Sequence, residues 1–496
     1  MLPARPSPRL PLSSPSAGSA RRRRALLAAV LPLWMALPSV WAQAPALAPL
    51  PPEVEAALSR ARLPREALSV LVVDAQGGPR QAPRLSHRAQ VPMNPASVMK
   101  LVTTYAALDQ LGPAYAWNTP VYVQGTVQDG SLRGNVYIQG QGDPKLVMER
   151  LWLLLRRLQG LGIQVIVGDI VLDRTAFDVP EQDPGSFDNE PLRPYNASPD
   201  ALLVNYKSQV MTFVPDPAGG LARIQYDPPL AGVQRQPSVA LAAAGAECGD
   251  WRGALRAELS DPARIAFQGV YPASCGERVW PIAPADPRGF AARAVEGMWR
   301  ELGGKLTGSV RDGKAPAGLK PAFVATSPAL AEVVRDVNKY SNNVMAQQVF
   351  LTLALGNKGT PATFDGAREA LRRWWQLRFG DSDQPVADNG AGLSRDARIT
   401  AQGLARMLQS AWASPVMPEL VSSLPIAGVD GTLRRSQVRG AAHLKTGSLR
   451  DVMAIAGYVH AASGRRYVLV AMVNHANAGA ARPVLDALTD WAARDQ

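Results

Sequence analysis

The sequence changes character twice along its length, and that pattern limits the fold more than any single motif. From about residue 118 to 286 it is dominated by β-type runs. Examples are Val121-Tyr-Val-Gln-Gly, Asn135-Val-Tyr-Ile-Gln and Gln164-Val-Ile-Val-Gly-Asp-Ile-Val-Leu-Asp173, with proline and glycine between them. The flanks read differently. Helical spacing of apolar residues recurs at 94–111, Ala291–Leu302, Pro328–Tyr340, Val344–Leu355 and Pro361–Phe379. A β-type run, Leu68–Asp74, lies near the start; two more, Leu444–Val459 and Tyr467–Asn474, precede a last helix at Ala480–Ala493. Strands near both ends with helices between predict one domain built from residues 43–117 and 287–496, interrupted by an inserted β-rich region over 118–286 that reads as two small units. At 496 residues the chain exceeds one ordinary core, in keeping with several domains of an α+β class.

The first 42 residues have the three parts of an export signal: basic Arg21 to Arg24, apolar Ala25 to Val40, and small residues before a cleavage point after Ala42. The apolar stretch is broken by Pro32 and Pro38 and is shorter than the roughly 20 residues a membrane span needs. No later segment is apolar enough to cross a bilayer, so the mature chain is expected free of transmembrane segments, in the periplasm. The net charge is +12; the six arginines of residues 1–42, with no acid among them, leave about +6 for the rest. That excess is too diffuse for a nucleic-acid partner. The two cysteines, Cys248 and Cys275, are expected to be bonded in an oxidising compartment, closing a loop worth about 3–4 kcal/mol by chain entropy. Two free thiols are the alternative.

Three short signals carry the chemistry. Ser97-Val98-Met99-Lys100 opens the helical stretch, with Asn94 as its expected N-cap and Pro95 at its first position. Lys100 then lies one turn from Ser97, on the same face. Ser341-Asn342-Asn343 falls between two helical stretches, and Lys445-Thr446-Gly447-Ser448 begins a strand. Each alone is weak; together, in this order, they describe one site. A serine hydroxyl needs a base, and Lys100 serves if burial and a neighbouring cation lower its pKa. Lys445 supplies that cation and attracts a substrate carboxylate. Ser341 suits a proton relay, Asn343 a grip on the substrate amide. The backbone N–H groups of Ser97 and Ser448 are the candidate oxyanion donors. The four histidines are scattered with no H-E-x-x-H spacing, and no glycine-rich phosphate loop occurs, so neither metal nor other cofactor is called for.

With these residues in hand, the sequence resembles the penicillin-binding proteins and serine β-lactamases. Longer segments resemble the class C low-molecular-mass penicillin-binding proteins, the D-alanyl-D-alanine carboxypeptidase/endopeptidases: Asn94 to Leu108, Gly140 to Leu146, Gly168 to Phe177, Asn338 to Asn343, Gly392 to Arg395 and His443 to Leu449. The resemblance implies a transpeptidase-like domain with an antiparallel sheet flanked by helices, and two inserted domains, one set inside the other. It implies peptidoglycan muropeptides as substrates and β-lactam antibiotics as acylating inhibitors. It further implies that Thr446 and Gly447 line the substrate cleft, and that Asp173, Phe177, Arg395 and Arg450 approach the substrate's diamino-acid side chain. Two departures bear on that last set: Asn389-Gly-Ala-Gly-Leu-Ser-Arg stands where the family has D-G-S-G-L-S-R, and Arg450 where glutamine is common. Asp173 also reads as a plain turn residue, Arg395 as an ion-pair partner and Phe177 as a core aromatic. The competing functions are a β-lactamase or esterase on the same core, and a non-catalytic muropeptide-binding protein. The sequence leaves open whether the chain forms a homo-oligomer.

Overall fold

The computed structural model describes residues 49–78, 81–355 and 360–495. The expected export signal, 1–42, lies outside them.

A five-stranded antiparallel sheet joins the two ends of the chain. Its order is Ala442–Leu449, Val452–His460, Arg466–Asn474, Leu68–Asp74, Leu85–His87. Both faces are covered, so its inner strands are apolar on successive residues rather than on alternate ones. Val468, Val470 and Met472 pack towards the helices Lys100–Leu111 and Ala401–Trp412. Leu469, Ala471 and Val473 pack towards the terminal helices Pro52–Arg60 and Arg482–Ala493. Truncating such a buried branched side chain to alanine costs about 2–5 kcal/mol. The C-terminal run expected as one strand over Leu444–Val459 is two, reversing at Arg450-Asp451. No glycine or proline marks that turn, which is why the apolar pattern ran through it.

The inserted region starts with the hairpin Asn118–Gln128 and Ser131–Gln139. Its turn, Asp129-Gly130, has both residues at positive φ, 50° and 76°, the conformation a tight hairpin demands and Asp-Gly tolerates. The run read as one strand over Gln164–Asp173 is two short ones, Val165–Val167 and Ile170–Asp173, both parallel to Ser131–Gln139. The expected boundary at 286 falls inside this unit. The helix Phe290–Glu301 closes its core, and strands Lys305–Leu306, Val310–Asp312 and Phe323–Thr326 complete its seven-stranded sheet. A helix, Met148–Gly160, also occurs where the sequence suggested only strands. Its apolar positions Leu151, Leu154, Leu155 and Leu158 face the same core. A smaller four-stranded sheet, built from residues 209–282, sits within this excursion. Phe213, Phe267 and Tyr271 fill its core, and Cys248 and Cys275 are joined there with Cα atoms 4.7 Å apart.

Candidate active site

The three motifs meet at the outer edge of the five-stranded sheet, each delivered by a different local device. Asn94 does not cap an α-helix in the expected way. Its Oδ1 accepts from Ala96 N at 2.8 Å, its Nδ2 donates to Ser394 O at 2.9 Å, and Ala96 takes a positive φ of 46°. The chain then makes one 3₁₀ turn, Ala96–Met99, before the α-helix Lys100–Leu111 begins. This tight turn places the Ser97 hydroxyl 2.9 Å from Lys100 Nζ. Ser341 ends the helix Leu330–Tyr340 in the left-handed conformation (φ 57°), a backbone that favours glycine or asparagine. Strain of this kind persists where surrounding structure enforces it. Asn342 then caps the helix Asn343–Thr352 through Met345 N at 3.1 Å. The Ser-Asn-Asn motif is thus an elbow that turns Ser341 and Asn343 into one cleft.

Lys445 and Gly447 project from the edge strand towards the Ser97 turn. A Cβ on Gly447 would lie 2.4 Å from Pro95 O, backbone against side chain, so only glycine lets the strand approach this closely. Leu444 N bonds Pro425 O on the outer edge. Two-residue alternation aims the Thr446 and Ser448 N–H groups at that same open edge.

The electrostatics follow from burial. Lys100 and Lys445 are both fully buried. Desolvation, with the Lys445 charge second, holds the Lys100 pKa well below the usual lysine value. Desolvation lowers Lys445 to about 7. Lys100 Nζ donates to Asn343 Oδ1 at 2.6 Å and Ala391 O at 2.6 Å. A neutral amine has two N–H groups and one lone pair. Lys100 Nζ also donates to Ser97 Oγ at 2.9 Å, so on losing one proton it keeps the other two bonds and turns a lone pair to the Ser97 hydroxyl. Lys445 Nζ donates to Ser341 Oγ at 2.8 Å and Thr446 O at 2.7 Å, which leaves the Ser341 O–H free to donate. Sequence reasoning missed three of these groups. The Ala391 carbonyl, the Tyr195 carbonyl that accepts from Asn343 Nδ2 at 3.0 Å, and the Thr432 hydroxyl 2.7 Å from Thr446 Oγ1 carry no side-chain signature of their own or come from distant loops. Only the glycine-flanked Gly390-Ala-Gly392 hinted at a backbone pressed against the catalytic helix.

The four residues assigned to a diamino-acid side chain do not form a comparable group. Asp173 is fully buried. Its carboxylate accepts from Thr175 Oγ1 at 2.7 Å, Thr175 N at 3.0 Å, Ala315 N at 2.9 Å and Gln139 Nε2 at 3.3 Å. It therefore fixes the end of a strand and is not open to a substrate ammonium, which corrects that expectation. Phe177 is a core aromatic, its ring against Gly142 and its backbone bridged to Ala362. Arg395 is exposed, paired with Asp451 at 3.0 Å and lying over the Phe187 ring at 4.7 Å. Arg450 is exposed at the turn after Ser448. Among the described residues no cluster of metal-ligating side chains occurs.

The profile of the D-Ala-D-Ala carboxypeptidase 3 (S13) family matches residues 50–495. The chain belongs to this family of serine-type peptidases. It is 28% identical to the D-alanyl-D-alanine carboxypeptidase of an Actinomadura species, over 96% of this chain and 91% of that one. It is 26% identical to D-alanyl-D-alanine carboxypeptidase DacB of Haemophilus influenzae, over 77% and 81%. The crystal structure of penicillin binding protein 4 from Haemophilus influenzae superposes with a TM-score of 0.70 at 23% identity, covering 88% of this chain and 98% of that one. The transpeptidase-like α+β fold, expected from resemblance, is thereby shown. The peptidase's three motifs occupy the sheet edge just described.

Proposed function

We propose that this S13 peptidase cuts D-alanyl bonds in peptidoglycan stem peptides and cross-links through an ester on Ser97, and that β-lactams acylate the same oxygen. The observation that carries this is Lys100: a buried lysine whose Nζ donates to Asn343 Oδ1, to Ala391 O and, at 2.9 Å, to Ser97 Oγ, so that losing one proton leaves it a base aimed at Ser97. As Oγ attacks the carbonyl carbon, its proton passes to Lys100. The oxyanion is received by the N–H groups of Ser97 and Ser448. The proton then moves to the leaving nitrogen through Ser341, held by Lys445, as the C–N bond breaks and the amine departs. Water hydrolyses the ester and restores the serine. Asn343, fixed by Lys100 and Tyr195 O, keeps one amide N–H for the substrate. The names of the curated relatives support the carboxypeptidase half of this reading.

The signal-like N-terminus supports a periplasmic site of action, and no helix among the described residues is long and apolar enough to cross a membrane. Incubation with a fluorescent penicillin tests the whole reading. A persistent label on the wild type, absent from a folded Ser97→Ala variant by intact-mass spectrometry, is the expected result. Rapid turnover of the label would favour a β-lactamase instead, and no label would favour a muropeptide-binding protein.

A further inference from the structure

The cleft does not end at the catalytic serine. A cavity of about 330 Å³ runs from Ser97 and Ser341 over the edge strand to the helix Arg482–Ala493. Ser341 and Lys445 stand where the leaving nitrogen takes up its proton, so this space lies on the departing side of the scissile bond. Lys445 and Gly447 face the catalytic helix; Leu444, Thr446 and Ser448 alternate to the opposite face and wall the cavity.

Its chemistry changes along its length. At the mouth the hydroxyls of Thr446 and Thr432 lie 2.7 Å apart. Thr446 donates to Thr432, which leaves the Thr432 O–H free to donate outward, and such a chain polarises its terminal donor. Next come Ile455, Met453 and Leu485, an apolar wall. The far end closes with Asp486, which accepts from Ser436 Oγ at 3.0 Å and is only loosely approached by Arg482 at 3.9 Å. The volume is at the lower end of the roughly 300–1,000 Å³ that buries drug-sized ligands.

We propose that this cavity is the subsite for the leaving half of a cross-linked substrate, a diamino-acid residue whose side-chain nitrogen is the one released. The proposal rests on the peptidase reading above. The carboxylate on the carbon bearing that nitrogen meets the Thr446–Thr432 hydroxyls. The aliphatic chain lies along Ile455, Met453 and Leu485. A peptide N–H of the neighbouring strand is accepted by Asp486. D-Alanine shares only the first of these contacts, so the distal cavity distinguishes cross-link cleavage from removal of a terminal D-alanine.

The test compares kcat/KM on a D,D-cross-linked muropeptide dimer and on an uncross-linked pentapeptide, for the wild type, Met453→Trp and Asp486→Asn, with penicillin acylation followed in parallel. The wild type is expected to cleave both. Met453→Trp fills the cavity and should lower the rate on the dimer about tenfold more than on the pentapeptide. Asp486→Asn, a milder change on a partly exposed residue, should favour the pentapeptide by about threefold. Equal losses on both substrates, or none, by variants that still acylate with penicillin overturn the subsite. So does a wild type that cleaves the pentapeptide alone. A wild type that neither acylates nor cleaves either substrate overturns the peptidase reading, and the subsite with it.

Discussion

The acyl-transfer cluster and the residues expected to read the substrate's side chain are built in opposite ways. Ser97, Lys100, Ser341, Asn343 and Lys445 come from three distant segments, yet each is tied to another by a bond of 2.6–2.9 Å, and both lysines are fully buried. Asp173, Phe177, Arg395 and Arg450 have no such mutual ties. Two are absorbed into the interior and two stand in solvent. The difference teaches that reaction chemistry needs groups held in one geometry with perturbed proton affinities, which only buried, mutually satisfied groups provide. Selectivity on this fold is left to surfaces that can vary without disturbing that geometry.

The largest effect should come from breaking the tied cluster. Lys100→Arg keeps a cation but cannot give up its proton, so acylation by penicillin should fall by about 10²–10⁴-fold, the usual worth of a general base. A rate within a few-fold of wild type, measured by stopped-flow, would sink Lys100 as the base. Gly447→Ala comes next. Its Cβ would lie 2.4 Å from Pro95 O, forcing the edge strand away from Ser97. A misplacement on the order of 1 Å costs about 10²-fold in rate. The variant should bind substrate but acylate slowly, and unchanged acylation would show that the close approach is dispensable.

Lys445 sharpens the comparison through pH. Its pKa, lowered to about 7, means it carries its charge below that pH and loses it above. Lys100 is held well below the usual lysine value by desolvation first and by the Lys445 charge second, and the reaction needs it neutral while Lys445 keeps its charge. The profile of kcat/KM should therefore rise as Lys100 deprotonates and fall above about 7 as Lys445 does. Lys445→Met removes the smaller of the two causes that depress Lys100, the larger being desolvation. The rising limb should move to higher pH and the falling limb disappear. A profile that keeps both limbs in place would mean that neither belongs to Lys445.

The smallest effects should come from the dispersed set, and they should differ in kind. Asp173→Asn should lower stability by about 1–3 kcal/mol, by unbalancing a buried acceptor, while leaving substrate preference unchanged. Arg395→Ala should do the reverse. Its pair with Asp451 is exposed and worth about 0–1 kcal/mol, so melting should barely move. The ratio of turnover on diaminopimelate-containing over lysine-containing muropeptides should narrow by a few-fold. A preference shifted by Asp173→Asn but not by Arg395→Ala would invert the contrast between these two residues.

The chain alone determined much of this. The Ser-x-x-Lys turn, the elbow at Ser341 and the Lys-Thr-Gly strand were legible because each is a local pattern whose chemistry needs particular side chains at fixed spacing. The apolar runs at both ends made the sheet's location legible, but not its strand Leu85–His87 or the reversal at Arg450-Asp451. Other features needed the tertiary structure, because their information is not local. The extension of the inserted sheet to Thr326 depends on Phe323–Thr326 pairing with Asn118–Val121 across some two hundred residues. The acceptors that leave Lys100 one free valence are a carbonyl at Ala391 and an amide at Asn343, and backbone carbonyls are the same in every residue. Whether an aspartate faces substrate or closes its own strand end, as Asp173 does, is a matter of which N–H groups the fold brings within 3 Å of it. Spacing in sequence encodes which groups are present; packing decides which of them remain unpaired and available to react.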